Sequence, residues 1–269
     1  MIDNSRSYQP DRHPSGIDGA VERLNAQINL TWRSESALIS KIQLPSSPTI
    51  VEIGCGTGVV LERLQKMYPQ SQLIGIDSDE RLLEIARVGN LDAKLVNADA
   101  SSTTLPSSSV DLVVMRYLLQ HITDPSQVLH EAHRILKPGG SCIIFEVDGG
   151  LWGISQPHVA ELEKIQSKIW SAQFLRGGNR MIGRSLRRLS FAVGFERVSL
   201  DLYNYSSDEF PLSDFGPLLD PDQYIALVED GIIDVIELAQ AGVAYRRWLS
   251  DPSSFVMMVG FAASATKKS

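Results

Sequence analysis

Short runs of apolar and β-branched residues recur along the first 150 residues and predict the strands of a sheet. Helical patterns, in which apolar positions return every three or four residues, separate most of these runs. The predicted strands cover residues 49–53, 72–77, 94–99, 110–115 and 141–147, and the predicted helices cover 18–42, 58–68, 79–88 and 125–137. Strands that are apolar on both faces and alternate with helices are typical of a parallel sheet covered on both sides. The sequence therefore predicts an α/β fold.

The pattern is less regular after residue 150. Periodicity predicts helices over 155–175, 182–193 and 222–248, two strands over 195–205 and 255–266, and an irregular, Pro- and Asp-rich connection over 206–222. We expect residues 48–269 to form one Rossmann-like domain with cap elements near 151–194 and 206–250. Residues 1–47 are expected to form an N-terminal helical lid, which would cover the site together with the acidic segment between 201 and 237.

The sharpest sequence feature is the glycine-rich segment VEIGCGTG at residues 51–58, between a predicted strand and a predicted helix. Glycine lets the backbone turn tightly and approach a ligand closely, because no Cβ intervenes. Asp77 and Asp99 end the next two predicted strands. The carboxyl ends of neighbouring parallel strands line one crevice, which is the usual ligand site of an open α/β sheet. We therefore expect the glycine segment and the two carboxylates to converge on one ligand.

Five motifs together resemble a known family. VEIGCGTG, IGIDSD, NADA, DLVVMR and LKPGG follow the order and spacing of the class I S-adenosylmethionine-dependent methyltransferases, and the likeness covers roughly residues 48–150. The resemblance implies a seven-stranded, mostly parallel sheet whose last strand, 255–266, is antiparallel, with helices on both faces and a helical lid. It also implies S-adenosylmethionine as the cofactor and S-adenosylhomocysteine as its product.

The resemblance implies roles for individual residues. Asp77 would bind both ribose hydroxyls, Asp99 would meet the adenine amino group, and the backbone carbonyl of Arg116 would accept from the methionine ammonium. Ser78 and Ala100 would touch adenine. The three glycines would line the methionine part, and the glutamate before them would orient that loop or the amino group. The implied cofactor residues are Glu52, Gly54, Gly56, Gly58, Asp77, Ser78, Asp99, Ala100 and Arg116.

Methyl transfer from a sulfonium is an in-line displacement, so the enzyme mainly has to hold the nucleophile against the methyl carbon. A general base is needed only if the nucleophile arrives protonated. His121 is a candidate base because imidazole titrates near neutral pH, and its alternative is a structural hydrogen bond. Glu146 ends a buried strand, where it either faces the acceptor or positions a loop. Tyr117 is the third catalytic candidate, with packing as its alternative.

Four more residues are candidates for acceptor binding: Asp148, Trp152, Arg180 and Arg184. The two arginines lie four residues apart in the arginine-rich segment at 176–188, a spacing that places side chains on one helical face. They would attract an anionic acceptor group, and a solvated helix face is the alternative. This segment also resembles, more weakly, small-molecule methyltransferases of secondary metabolism. A small natural product is therefore the expected acceptor.

Composition narrows the expected partners and location. A net charge of −7 disfavours a nucleic acid partner. The two cysteines, Cys55 and Cys142, have neither the number nor the spacing for a disulfide framework or a metal site. No apolar run has the length of a membrane span, and the polar first residues show no secretory signal. We expect a cytoplasmic protein without membrane contact or bound metal, of open oligomeric state.

Two other functions fit the same kind of sheet. A nicotinamide-dependent oxidoreductase would bind a dinucleotide, although the glycine spacing departs from the G-x-G-x-x-G fingerprint. A non-catalytic module could keep the cofactor fold as an interaction surface. Among methyltransferases, the acidity disfavours RNA and protein acceptors. The sequence favours a methyltransferase that acts on an oxygen, nitrogen or carbon atom of a small molecule.

Overall fold

Residues 10–89, 91–151 and 153–269 are described by a computed structural model of the protein. The strands are β1 (Thr49–Ile53), β2 (Gln72–Asp77), β3 (Ala93–Asn97), β4 (Val110–Arg116), β5 (Leu136–Glu146), β6 (Gly153–Gln156), β7 (Glu196–Ser206) and β8 (Phe255–Thr266). The helices are α1 (Gly16–Ile39), α2 (Val59–Met67), α3 (Glu80–Val88), α4 (Pro125–Ile135), α5 (Ala160–Leu175), α6 (Leu186–Ala192), α7 (Gly216–Leu219), α8 (Ile225–Glu229) and α9 (Val235–Ser250).

The strands form one sheet in the order β3-β2-β1-β4-β5-β8-β7, in which β1 to β5 pair in parallel. β8 runs antiparallel to both β5 and β7. The predicted seven-stranded sheet with an antiparallel last strand is therefore confirmed. β8 extends beyond β5, and the short additional strand β6 pairs with its first residues, so that Gly153 faces Met258.

Several boundaries in the second half differ from the predicted ones. The predicted helix 155–175 begins with strand β6, and the predicted helix 182–193 begins as a 3-10 turn before α6. The predicted helix 222–248 is divided between α8 and α9. Gly231 lies between them with a φ of +70°, a left-handed conformation that cannot continue a helix. Asp234 and Glu237 then form a capping box that starts α9.

Apolar side chains cover both faces of the sheet. One cluster includes Leu61 and Leu64 of α2, and the other includes Leu129 and Ile135 of α4. A third, smaller cluster joins α5, α8 and α9 above the sheet, and its buried members are Ile165, Ile169, Leu227, Ile233, Leu238 and Ala241. These three helices thus form a packed layer of their own, at the position where the sequence predicts a cap. Among the described helices, none combines the length and the apolar character that crossing a membrane would require.

Candidate active site

A cavity of ≈ 790 Å³ lies where the carboxyl ends of β1 to β4 meet α1 and the helices of the cap. Its sheet side includes Gly54, Gly56 and Asp77, and its cap side includes Ile169 and Leu227. A volume of this order is typical of a site for a cofactor or a small molecule, for which the usual range is roughly 300–1,000 Å³. The predicted convergence of the strand ends is therefore present in the fold.

The glycine segment turns sharply after β1. The backbone N–H groups of Gly54 and Cys55 both donate to the carbonyl of Ile76, over 2.7 and 3.0 Å. Gly54 has a φ of +80°, and a Cβ there would approach the Leu118 side chain to 3.0 Å. Gly58 differs from the other two glycines, because its missing Cβ would point at Ala86 of α3, 3.2 Å away. Gly54 and Gly56 line the cavity, whereas Gly58 allows α2 and α3 to approach each other.

Asp77 connects two loops at the centre of the sheet side. Its carboxylate accepts the N–H groups of Gly56 and Asp79, each over 2.8 Å. Burial raises the pKa of this carboxyl, while the two backbone N–H groups oppose the rise. A carboxylate held from behind in this way keeps a fixed orientation toward the cavity, which is what bidentate binding of a ribose needs.

The neighbouring predicted cofactor residues are placed unequally. Ser78 and Asp99 line the cavity, but Ala100 does not, and Ser101 takes its place. Asp99 accepts from both the backbone N–H and the hydroxyl of Ser101, over 2.8 and 2.5 Å. Glu52 lies beneath the glycine segment, buried and outside the cavity lining, and burial raises the pKa of its carboxyl well above the usual value. Its position suits a residue that supports the loop from below.

Arg116 anchors α1 to the end of β4. Its Nε lies 2.9 Å from a carboxylate oxygen of Glu35, and its Nη2 donates to the hydroxyl of Thr31 over 2.9 Å. The guanidinium also lies over the ring of Tyr117, 4.4 Å from its centroid. Both partners of the ion pair are almost fully buried, with exposed side-chain fractions of 5% and 1%. Arg116 lines the cavity, and its side chain holds the end of β4 to α1 through these buried contacts.

Tyr117 lines the cavity as part of the same network. Its phenol oxygen lies 3.0 Å from that of Tyr203, and the hydroxyl of Tyr203 donates to Glu35 over 3.2 Å. The proton of Tyr203 is thus used toward the carboxylate, so Tyr117 is the donor between the two phenols. Burial raises the pKa of the Tyr117 phenol, which keeps it protonated.

His121 lines the cavity, and its surroundings favour a neutral imidazole. Burial lowers its pKa well below the usual value, and the charges of Arg180 and Arg23 act in the same direction. Its Nδ1 lies 3.2 Å from Nε2 of Gln173, which also donates to the carbonyl of Gln120 over 2.9 Å. Gln120 and Gln173 line the cavity as well, although the sequence did not single them out.

Glu146 lies behind the cavity wall, at the buried end of β5. It has no exposed surface, and its carboxylate accepts the backbone N–H of Gln120 over 3.2 Å. Burial raises the pKa of Glu146 to about 8, although backbone N–H groups oppose the rise. Of the two sequence-based roles, this placement favours the one in which Glu146 positions a loop, here the segment that carries His121.

Replacement of Glu146 by glutamine is expected to change how stability depends on pH. The folded pKa lies above the usual 4.5, so the carboxyl favours folding most below that value, and its contribution falls as the pH rises toward about 8. Glutamine does not titrate. The unfolding free energy of the variant, relative to the wild type, should therefore increase by roughly 3–4 kcal/mol between pH 5 and pH 8. Urea unfolding at both pH values measures this difference. A constant difference would contradict the raised pKa.

The predicted acceptor residues divide into two groups. Arg180 lines the cavity, but Arg184 binds Asp148 in a bidentate ion pair, with contacts of 2.5 and 2.6 Å. The prediction that both arginines share one helical face at the site is wrong, because the chain turns at a 3-10 segment between 182 and 185. Asp148 is fully buried and does not line the cavity. Trp152 lies outside the described residues.

Two further arginines of the cavity lining, Arg12 and Arg176, share one carboxylate partner. Asp230 accepts from Nη1 of Arg12 over 2.6 Å and from Nη2 of Arg176 over 2.7 Å. This contact joins the N-terminal segment, the end of α8 and the end of α5. Arg176 belongs to the arginine-rich segment, but no local pattern could relate Arg12 to a residue 218 positions away. Within the described chain, no group of three or more His, Cys, Asp and Glu side chains could hold a metal ion.

Comparison with known proteins agrees with this geometry. Residues 51–144 match the family described as "Methyltransferase domain". Over 165 residues, the chain is 33% identical to an uncharacterized transposon protein of Streptomyces fradiae, covering 60% of this chain and 47% of that protein. Over 132 residues, it is 33% identical to the ubiquinone biosynthesis O-methyltransferase of Hydrogenovibrio crunogenus, covering 47% of this chain and 51% of that enzyme. The chain spans about half the length of these relatives.

A solved structure extends the likeness in fold to most of the chain. Phosphoethanolamine N-methyltransferase 2 of Haemonchus contortus, in complex with phosphomonomethylethanolamine and S-adenosylhomocysteine, superimposes with a TM-score of 0.55 at 15% identity. The match covers 91% of this chain and 56% of that one. Residues 51–144 are therefore a methyltransferase domain of the class I S-adenosylmethionine-dependent type, as the motifs predict.

Proposed function

We propose that this protein binds S-adenosylmethionine in the cavity and transfers its methyl group to a small anionic molecule held beneath the cap. One observation supports this most directly: the same cavity has carboxylates and glycine backbone on its sheet side and guanidinium groups on its cap side. The carboxylates and glycines suit an adenosyl sulfonium, and the guanidinium groups suit a negatively charged acceptor.

The residues on the sheet side fit the cofactor. Gly54 and Gly56 leave room for close approach to the backbone, and Asp77 presents a carboxylate to the ribose hydroxyls. Asp99 and Ser78 would border the adenine, and the carbonyl of Arg116 would accept from the methionine ammonium. Gly58, Glu52 and Ala100 would act from behind the lining, through the shape of the loops. The bound cofactor supplies an electrophilic methyl carbon, and the protein has to place the acceptor in line with it.

The cap side supplies the acceptor site. Arg12, Arg176 and Arg180 bring positive charge to it, and apolar residues of α5 and α8 would hold the body of the molecule. We propose that residues 1–47 act as the lid, because α1 forms one wall of the cavity and is anchored to β4 by the Arg116–Glu35 pair. A covered site excludes water, which keeps the displacement selective. An acceptor from natural-product metabolism and a location in the cytoplasm are proposals that rest on the sequence.

Isothermal titration calorimetry tests the cofactor half of this proposal. Purified protein should bind S-adenosylmethionine and S-adenosylhomocysteine with one site per chain, and it should give no heat with NAD⁺ or NADP⁺. Binding of a nicotinamide cofactor in their place would favour the oxidoreductase alternative. Incubation with S-adenosylmethionine labelled in its methyl group and with cell extract should then label a small molecule. A folded protein that binds the cofactor and labels no extract component would instead be a binding module.

A further inference from the structure

The two histidines that line the cavity share an unusual feature: each has its Nδ1 occupied by an N–H donor. Nδ1 of His13 accepts the backbone N–H of Ser15 over 3.2 Å. Nδ1 of His121 lies 3.2 Å from the amide nitrogen of Gln173. The orientation of that amide is fixed, because its nitrogen also donates to the backbone carbonyl of Gln120, which can only accept. If the amide of Gln173 were rotated by 180°, its oxygen would lie against the carbonyl oxygen of Gln120, and both atoms are acceptors.

This arrangement determines which ring nitrogen carries the proton. A neutral imidazole whose Nδ1 accepts a hydrogen bond has its proton on Nε2. Burial lowers the pKa of both histidines, so the neutral form is favoured for each. His121 and His13 are therefore hydrogen-bond donors at Nε2. A general base would need a lone pair there, and hence a proton on Nδ1, where the donor of Gln173 or Ser15 already lies.

No other described side chain on the cap side of the cavity replaces them as a base. The phenol of Tyr117 donates a hydrogen bond to Tyr203, and it stays protonated because burial raises its pKa. Tyr224 adds a second phenol, and Arg12, Arg23, Arg176 and Arg180 add guanidinium groups, which cannot be deprotonated.

The carboxylates of the lining all accept from backbone N–H groups at loops and helix starts. They are Asp77, Asp79, Asp99 and Asp124. Donors and positive charge thus characterise the part of the cavity that faces the cap.

We infer that the methyl acceptor is a small carboxylate that enters the cavity already ionised, with His121 as a hydrogen-bond donor to it and not as a base. This inference rests on the proposed function. One carboxylate oxygen would be oriented by the donors, and the other would attack. That oxygen forms the new bond to the methyl carbon as the bond between carbon and sulfur breaks, and the electron pair of the broken bond stays on sulfur. No proton is transferred, so no base is required.

The same arrangement accounts for release of the product. Guanidinium–carboxylate pairs derive their strength from the charge on both partners. Methylation turns the carboxylate into a neutral ester and removes that charge. The cap side therefore binds the acceptor more strongly than its methyl ester, and the reaction itself weakens the contact that held the substrate. Gln173 acts in this scheme as a positioning residue, because it fixes the tautomer of His121 without contacting the acceptor.

The first experiment measures the tautomer directly. Two-bond ¹H–¹⁵N correlation spectra of the labelled protein, saturated with S-adenosylhomocysteine, report which nitrogen of His121 is protonated, and the His121→Phe variant assigns the signals. The wild type should show the proton on Nε2. Gln173→Glu places an acceptor against Nδ1 and should move the proton there. Gln223→Glu adds the same charge at another lining residue, whose amide donates to the carbonyl of Asp220, and should leave the tautomer unchanged. A wild-type proton on Nδ1 overturns the inference.

The second experiment identifies the bond formed. The protein is incubated with methyl-tritiated S-adenosylmethionine and either a mixture of aliphatic, unsaturated and aromatic carboxylic acids or the matching mixture of alcohols and amines. A carboxyl methyl ester releases its label as volatile methanol in mild alkali, whereas ethers, N-methyl and C-methyl products keep it. Alkali-labile label from the acids supports the inference. Alkali-stable label from either mixture, or no label from the acids, overturns it. Loss of cofactor binding would instead contradict the proposed function, so the two failures are distinguishable.

Discussion

Replacement of Asp77 by alanine is expected to weaken the binding of S-adenosylhomocysteine roughly 10²–10³-fold, with little change in the fold. The carboxylate would bind two ribose hydroxyls, and hydrogen bonds to a charged group contribute about 1.5–3 kcal/mol each. The same carboxylate holds the N–H groups of Gly56 and Asp79. Its removal therefore also loosens the glycine segment against which the cofactor lies. Isothermal titration calorimetry measures the loss, and circular dichroism checks the fold.

Two variants define the controls for this experiment. Asp77→Asn keeps one acceptor oxygen and should fall between the wild type and the alanine variant. Asp208→Ala removes an exposed carboxylate from the turn after β7 and should leave the affinity unchanged. Equal affinities of the Asp77→Ala variant and the wild type would place the ribose elsewhere, and the assignment of the sheet side to the cofactor would then be wrong.

The sheet side of the site could be predicted because its residues lie in local patterns. Asp77 and Asp99 end strands, and parallel strands of one sheet bring their carboxyl ends to one edge wherever they stand in the sequence. The prediction was less accurate where a shift of one residue along the chain changes which side chain faces the cavity. Ser101 lines it in place of Ala100, and Gly58 packs against α3, because turns after strands do not preserve the alternation of faces.

The cap side was predictable only in outline. Its helices are short and divided by residues such as Gly231, whose positive φ ends α8. Ion pairs between residues far apart in sequence determine where its charged side chains lie. Arg184 pairs with the buried carboxylate of Asp148, whereas Arg12 and Arg176 both pair with Asp230. Arg180 and Arg184 lie in the same arginine-rich segment and look alike in the sequence, and only the folded chain shows which of them reaches the cavity. The contact between His121 and Gln173 likewise joins residues 52 positions apart.

Among the ion pairs of α1, the buried pair between Arg116 and Glu35 is expected to contribute most to the free energy of unfolding. Glu35→Leu leaves a guanidinium buried without its counter-charge, and loss of one partner of a buried pair costs about 3–5 kcal/mol. Arg116→Met leaves the Glu35 carboxylate buried without its counter-charge and should cost a similar amount. Urea unfolding measures both variants. Arg33→Met removes an exposed guanidinium from the same helix, 3.7 Å from Glu209, and should have almost no effect.

The double variant Glu35→Leu/Arg116→Met distinguishes the energy of the ion pair itself from the energy of the contacts around it. Apolar replacement of both partners avoids an isolated buried charge, so the double variant should lose clearly less stability than the sum of the two single variants. Thr31 and Tyr203 lose their charged partners in the double variant, which should leave a residual cost of about 1–3 kcal/mol. Because Glu35 and Thr31 lie on α1, the single variants should also expose that helix to proteolysis. Additive losses, with α1 as resistant as in the wild type, would mean that packing rather than this pair holds the helix over the cavity.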